Sequence, residues 1–151
     1  MKIYFACSIT GGREYEKTYQ AMTKFLLDEG YEVPTAHLAE SNILDLERVV
    51  DPNDVYARDV NWILTSDILL AEISVPSHGV GYEIGFALNA GKHVLCLHQE
   101  GISISKMISG NPHPLLTIKA YEDTSHRSTT IRITHHVASG NNLTLNHSCR
   151  E

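Results

Sequence analysis

The fold is decided by DILLAEISVPSHGVGYEIGFALNAGKHVLCL, the stretch from Asp67 to Leu97. In this stretch a run of β-prone residues is followed by small residues, then by helical spacing, and then by a second apolar run. We therefore predict a strand, a turn, a helix and a second strand, over residues 67–73, 74–79, 80–90 and 92–97. Gly91 supplies the stop for the helix. Two strands joined by a helix in this way pair in parallel.

The same alternation extends over the chain as far as residue 123. Further strands are predicted at residues 2–7, 31–36 and 114–121, and further helices at residues 14–29 and 51–66, with a short helix within 37–50 and a helical turn at 104–109. The predicted fold class is α/β: a single Rossmann-like domain with a mostly parallel five-stranded sheet and helices on both faces. Ligands of such sheets bind at the carboxyl ends of the strands, where the loops 8–14 and 74–83 lie.

Composition and charge exclude several classes of protein. The chain has 151 residues, of which 42% are apolar and 20% are charged, and its net charge is −6. An acidic chain without a Lys/Arg cluster is a poor partner for a nucleic-acid polymer, although backbone N–H groups and hydroxyls can still hold a single nucleotide. No apolar run approaches the roughly 20 residues of a membrane helix, and the segment before Cys7 is too short for a signal peptide. We expect neither a membrane partner nor a polynucleotide partner.

Cysteine and histidine spacing gives no sign of a metal or a cofactor. Cys7, Cys96 and Cys149 are far apart and form no C-x-x-C pair. This excludes a disulfide framework and the usual zinc motif, so the expected compartment is the cytoplasm, with the nucleus left open. Gly79-Val80-Gly81 lacks the rest of a dinucleotide fingerprint, and metal-like histidine spacing occurs only in the last part of the chain. We therefore predict no metal and no cofactor.

The composition changes after residue 123. Of the last 28 residues, 12 are Ser, Thr or Asn, and this segment also holds four of the nine histidines. It contains no amphipathic helix of the kind that usually closes an α/β domain. We predict an α/β domain over residues 1–123 and a polar, irregular or disordered tail over residues 124–151, within which residues 131–134 are the candidate for a short strand.

The segment from Ser74 to Gly85 holds the most informative polar residues. It places hydroxyls and glycines between a strand and a helix, where backbone N–H groups form an anion site. A plain strand-to-helix turn accounts for that spacing equally well. Glu83 is predicted in the first turn of the helix, where a carboxylate either compensates the helix dipole or acts as a nucleophile held by nearby N–H groups.

A second acidic candidate lies in the helix predicted at residues 51–66. Asp54, Arg58 and Asp59 are consistent with a solvated face stabilised by i,i+4 pairs. Alternatively, Asp59 and Glu83 form the pair of carboxylates that cleaves a glycosidic bond, which lie about 5 Å apart in retaining enzymes. Tyr4, in the first strand, is either a core residue or a phenol that orients a carboxylate.

These motifs resemble a known family. The segments YFACSITGGRE, from Tyr4, and GVGYEIG, from Gly79, closely resemble those of the 2′-deoxynucleoside 5′-phosphate N-hydrolases, which belong to the nucleoside 2-deoxyribosyltransferase superfamily. The segments ARDVNWI and GKHVLCL and the strand after Asp67 follow the family in the same order. The resemblance covers about residues 2–122.

The resemblance implies an enzyme that hydrolyses the N-glycosidic bond of a nucleoside 5′-monophosphate, giving a free base and 2-deoxyribose 5-phosphate. It implies that Glu83 is the nucleophile of a covalent glycosyl intermediate, that Asp59 protonates the departing base and that Tyr4 orients Glu83. The substrate and phosphate contacts that it implies are Ser8, Ile9, Gly11, Arg13, Ser77 and Gly79, with His37 at the edge of the base pocket. Ser105 matches a serine that reaches the phosphate of a neighbouring subunit, which implies a homodimer.

Position 77 distinguishes two branches of the superfamily. By the same resemblance, the transferases that act on unphosphorylated nucleosides carry Asp at that position. An aspartate and a phosphate at contact distance in a dry site repel each other by on the order of 4 kcal/mol. Ser77 instead donates a hydrogen bond to a phosphate, and so it favours a nucleotide substrate. The chain departs from the hydrolases at Thr10, where they carry Arg, and Arg13 is the candidate replacement. A base-exchanging transferase and a nucleotide-binding module without turnover stay open as alternatives.

Overall fold

The structure, a computed structural model, describes residues 1–9, 14–41, 43, 49–122, 131–134 and 144–147. Within these residues four strands form one sheet: β1 (Ile3–Ala6), β2 (Ile68–Glu72), β3 (His93–Gln99) and β4 (Leu116–Tyr121). The helices are α1 (Glu16–Asp28), α2 (Pro52–Thr65), α3 (His78–Asn89) and α4 (Lys106–Ser109), with a 3-10 helix over Ala36–Ala39.

The sheet is parallel, with the strands in the order β1-β2-β3-β4. Successive side chains of a strand point to opposite faces, so each strand contributes to two separate cores. On one face Ile3 and Phe5 pack with Tyr19 of α1. On the other face Tyr4 packs with Ile63 of α2 and with residues of α3. The helices therefore cover both faces of the sheet, which confirms the predicted α/β class.

The predicted fifth strand, at residues 31–36, is wrong. That segment pairs with the sheet only through a parallel bridge between Lys2 and Glu32, where the Ile3 N–H donates to the Glu32 carbonyl at 2.8 Å. Pro34 follows immediately and has no N–H to continue the pairing, and the 3-10 helix begins at Ala36. The segment still lies along the outer edge of β1, whereas β2, the next strand in the chain, lies on the other side of β1. The order of the chain across the sheet therefore reverses between β1 and β2. That reversal is the point where open α/β sheets bind their ligands.

Helix boundaries follow the predicted signals except in α3. Asp51 accepts a hydrogen bond from the Asn53 N–H at 2.8 Å, as an N-cap does. Helix α3, however, begins at His78, because Ser77 caps it by accepting from the Val80 N–H at 3.4 Å. Glu83 is therefore the sixth helical residue and lies in the second turn, so its predicted place in the first turn is wrong.

Two further strands lie after residue 123. They are β5 (Ile131–Thr134) and β6 (Thr144–His147), which pair antiparallel. The first of them coincides with the short strand predicted in the polar tail, and the rest of residues 123–151 lies outside the described residues. In the part of the chain that the structure describes, no helix is long and apolar enough to cross a membrane.

Candidate active site

The centre of the site is a hydrogen bond between the sheet and helix α3. The Tyr4 hydroxyl donates to Glu83 Oε1 at 2.8 Å. Tyr4 is fully buried in β1 and belongs to the core between the sheet and helices α2 and α3. Both interpretations of Tyr4 therefore hold, since its ring is core and its phenol holds a carboxylate.

Burial makes the Glu83 carboxyl unusually basic. Loss of hydration raises the pKa of Glu83 to about 7, the Tyr4 hydrogen bond opposes that rise, and the charge of Asp59 adds to it. Burial also raises the pKa of Tyr4, together with the charges of Glu83 and Asp59, so this phenol stays protonated and acts as a donor. The charges of Glu83 and Asp59 thus both act on Tyr4, and the charge of Asp59 also acts on Glu83. An acid whose pKa lies near neutrality is poised to act as a nucleophile or base.

Asp59 is held by its neighbour in sequence. Arg58 Nε donates to Asp59 Oδ1 at 2.8 Å, and the two side chains are only 24% and 17% exposed. The Arg58 guanidinium also lies over the Trp62 ring, 4.9 Å from its centroid. Asp59 therefore does not belong to a solvated face with i,i+4 pairs, because its partner Arg58 is adjacent in sequence and both side chains are partly buried.

An aromatic wall continues from Arg58. The His37 ring, in the 3-10 helix, meets the Trp62 ring edge-on at a centroid distance of 5.7 Å. His37, Trp62 and Arg58 thus form one partly cationic cluster that continues to Asp59. His37 is thus linked to the second carboxylate through Trp62 and Arg58, and its place at the edge of a base pocket stays a prediction. Planar rings and guanidinium groups are suited to stacking with a nucleobase.

The start of α3 offers donors for an anion. The first intrahelical bond runs from the Gly81 N–H to the Ser77 carbonyl at 3.1 Å, so the N–H groups of His78 and Gly79 precede it in the first turn. Ser8, which follows β1, is fully buried, and its hydroxyl has no hydrogen-bond partner among the described residues. Both features lie at the carboxyl ends of neighbouring strands, the end where ligands of such sheets bind.

The remaining predicted residues fall in different places. Ile9 is partly buried and is the last described residue before the gap at residues 10–13. Gly11 and Arg13 lie outside the described residues. Ser105 caps α4 by accepting from the Met107 N–H at 3.3 Å, and it lines a groove of about 840 Å³ together with Ser77.

Arg58 is the site residue whose role sequence reasoning missed. Its charge suggested an exposed ion pair, whereas its contacts are with Asp59 and Trp62. The spacing between Arg58 and Trp62 could have indicated their contact, because residues four apart on a helix are neighbours.

Comparisons with known proteins point to one family. The model of the nucleoside 2-deoxyribosyltransferase family matches residues 3–130. A Methanosarcina barkeri protein with the provisional name 2′-deoxynucleoside 5′-phosphate N-hydrolase 1 is 43% identical over 122 residues, covering 81% of this chain and 77% of its own length. The 5-hydroxymethyl-dUMP N-hydrolase of Danio rerio is 38% identical over 127 residues, covering 82% of this chain and 88% of its own.

A solved structure has the same fold. The CMP N-glycosidase of Clostridium botulinum superposes with a TM-score of 0.62 at 24% identity, covering 82% of this chain and 90% of its own. The predicted resemblance is thereby confirmed from two directions, by sequence and by fold. The chain belongs to the nucleoside 2-deoxyribosyltransferase family.

Proposed function

We propose that this protein hydrolyses the N-glycosidic bond of 2′-deoxynucleoside 5′-monophosphates, releasing a free base and 2-deoxyribose 5-phosphate. The observation that carries the proposal is the hydrogen bond from the Tyr4 hydroxyl to Glu83 Oε1, together with the charge of Asp59, which acts on both groups. The names of the Methanosarcina and Danio relatives support the reaction class, since both describe N-hydrolases of nucleoside monophosphates.

The chemistry proceeds in two displacements. An ionised Glu83 oxygen attacks C1′ of the sugar while the C1′–N bond breaks, and Asp59 gives a proton to the departing base nitrogen. Water then attacks C1′, the bond between C1′ and the Glu83 oxygen breaks, and the water proton returns to Asp59. The Tyr4 hydroxyl donates to one Glu83 oxygen and so directs the other oxygen at the sugar. This donation favours the ionised form of Glu83, whereas burial favours the neutral acid.

Different residues bind the phosphate end and the base end of the substrate. The phosphate meets the first-turn N–H groups of α3, the Ser77 hydroxyl and the buried Ser8 hydroxyl, with Arg13 as an additional cation. The base stacks at the wall formed by His37 and Trp62. Ser77 supports a phosphorylated substrate, because an acidic side chain there would repel the phosphate by on the order of 4 kcal/mol.

Assembly and compartment are part of the same proposal. We infer a homodimer in which Ser105 of each subunit approaches the phosphate site of the other, working in the cytoplasm. The exposed position of Ser105 at the start of α4, along the groove that Ser77 also lines, is compatible with that role. Sedimentation of the purified protein tests the dimer, and a monomer that retains full activity would contradict it.

The reaction is tested by chromatography of free base after incubation with each deoxynucleoside monophosphate. The matching nucleosides and ribonucleotides serve as controls, and a free acceptor base is added in a parallel series. Release from monophosphates without base exchange is the expected result. Exchange into the acceptor base would instead identify a transferase, and binding without release would identify a nucleotide-binding module.

A further inference from the structure

A second polar cluster lies at the carboxyl ends of the strands, on the face of the sheet opposite Tyr4. Its centre is Glu72, the last residue of β2, which is 0% exposed. Because side chains alternate along a strand, Glu72 points to the same face as Leu70, which packs in the core beneath α1. The reaction proposed above makes no use of this carboxyl.

Hydrogen bonds from three donor groups converge on one oxygen of Glu72. Glu72 Oε1 accepts from the Ser74 N–H at 3.2 Å, from the Ser74 hydroxyl, and from the Tyr121 hydroxyl at 2.9 Å. The network continues on the other side of Ser74, whose hydroxyl accepts from the Gln99 N–H at 2.8 Å. The Tyr15 hydroxyl in turn donates to the Gln99 side chain.

Stability alone does not account for a carboxyl in this place. Burial raises the pKa of Glu72, and Glu72 Oε2 is buried without a hydrogen-bond partner among the described residues. Replacing buried charged groups by well-packed apolar ones is often neutral or stabilising. A buried polar group that is only half satisfied therefore requires a reason other than stability.

The network connects the loop after β2, which leads to proposed substrate contacts, with the residue before α1. Ser74 is the second residue after the buried end of β2 and lies in the loop that leads to Ser77 and the start of α3. Tyr15 precedes α1 and directly follows the loop over residues 8–14. Glu72 and its partners therefore tie Ser74, in the loop after β2, and Tyr15, at the start of α1, to the ends of β3 and β4.

We propose that Glu72 is a positioning residue for the 5′-phosphate, acting through Ser74 on the loop that carries Ser77. This inference rests on the proposed function, since it concerns the phosphate end of that site. Glu83, Tyr4 and Asp59 lie on the other face of the sheet and are placed by the packing of α2 and α3. Loss of Glu72 therefore weakens phosphate binding and leaves the bond-breaking step largely unchanged.

The test compares Glu72→Gln and Ser74→Ala with Tyr121→Phe as the matched control. The first two disrupt the link to the loop, whereas Tyr121→Phe removes a bond to the same Glu72 oxygen and keeps both hydrogen bonds from Ser74 to that oxygen. The readouts are KM and kcat for a deoxynucleoside monophosphate, calorimetric titration with inorganic phosphate, and the melting temperature. The double variant Glu72→Gln/Ser74→Ala measures whether the two side chains act as a unit.

Glu72→Gln and Ser74→Ala are each expected to raise KM and weaken phosphate binding about tenfold, while kcat stays within about threefold of wild type. The double variant should be no worse than either single variant. Tyr121→Phe should lower the melting temperature and leave KM unchanged.

The inference is overturned if folded Ser74→Ala or Glu72→Gln retains wild-type KM and phosphate affinity, or if Tyr121→Phe raises KM equally. Failure of the proposed function gives a different result, because the wild-type protein then releases no base. In that case the phosphate titrations still compare the variants, and wild type that binds no phosphate overturns the inference as well.

Discussion

Tyr4 and Glu83 are 79 positions apart in the chain, yet the phenol of one donates to the carboxylate of the other at 2.8 Å. The bond ties the first strand of the sheet to the helix after β2. Two opposing effects act on the pKa of this carboxyl. Burial and the charge of Asp59 favour its protonated form, and the hydrogen bond from Tyr4 favours its ionised form. The activity of the proposed enzyme depends on the balance between them.

The first prediction concerns the pH dependence of base release. Only ionised Glu83 attacks C1′, whereas Asp59 must carry the proton that an ordinary base takes up. With a substrate whose base leaves without a proton, such as a 5-halogenated uracil, kcat/KM should therefore rise with pH and be half-maximal near pH 7, the pKa that burial gives Glu83. Tyr4→Phe removes the donor that lowers this pKa. The acid limb should then move up by about one pH unit, the effect of roughly one hydrogen bond to a charged group.

The check is kcat/KM of wild type and Tyr4→Phe between about pH 5 and pH 9. A limb that stays in place, or that moves to lower pH, would show that the Tyr4 hydroxyl does not stabilise the ionised carboxyl.

The second prediction concerns stability. The pKa of Glu83 rises from 4.5 in the unfolded chain to about 7 in the folded one, so the folded state binds more protons between these values. Its contribution to the free energy of unfolding is therefore present below about pH 4.5 and is lost as the pH rises to about 7. Glu83→Gln does not titrate, so its melting temperature should rise relative to wild type across this window. A constant difference between the two melting curves would contradict the shift.

The third prediction concerns the departing base. Asp59→Asn removes the proton donor and should lower kcat by about a hundredfold or more. The loss should be smaller for a substrate whose base leaves readily without a proton, such as a 5-halogenated uracil. Equal losses with both substrates would assign Asp59 to a different role.

The fourth prediction concerns Arg58, whose guanidinium holds Asp59 and covers Trp62. In Arg58→Ala the Asp59 charge is less compensated, so its repulsion of ionised Glu83 increases and the acid limb of kcat/KM should move to higher pH. Lys24→Ala is the matched control, because Lys24 forms an exposed ion pair with Asp28 in α1. The prediction fails if both variants have the wild-type profile.

Much of the fold is encoded in local patterns. The Asp51-Pro52 signal, the glycine stops and the apolar runs each depend on neighbours in sequence, and the helices and most strands follow them. The edge strand at residues 31–36 was overpredicted, because its apolar pattern is that of a strand while Pro34 prevents the hydrogen-bond ladder from continuing. The predicted start of α3 is too late because the glycine at 79 resembles a loop residue, whereas the Ser77 cap makes it helical.

The site was less accessible to such reasoning. Glu83, Asp59 and Tyr4 could be named from their motifs, but their convergence depends on tertiary packing between β1, α2 and α3. The role of Arg58 depends on a side-chain direction that spacing alone did not reveal. The Glu72 network joins residues from β2, β3, β4 and the segment before α1, and no local pattern brings these together.

The central claim is that Glu83 attacks the sugar of a nucleoside monophosphate, and base release by Glu83→Gln tests it most directly. Wild type and Glu83→Gln are incubated with the best monophosphate, and calorimetry measures nucleotide binding on the same samples. The account predicts release by wild type, a loss of at least about a thousandfold in Glu83→Gln, and retained binding. Turnover by a folded Glu83→Gln at close to the wild-type rate would contradict it.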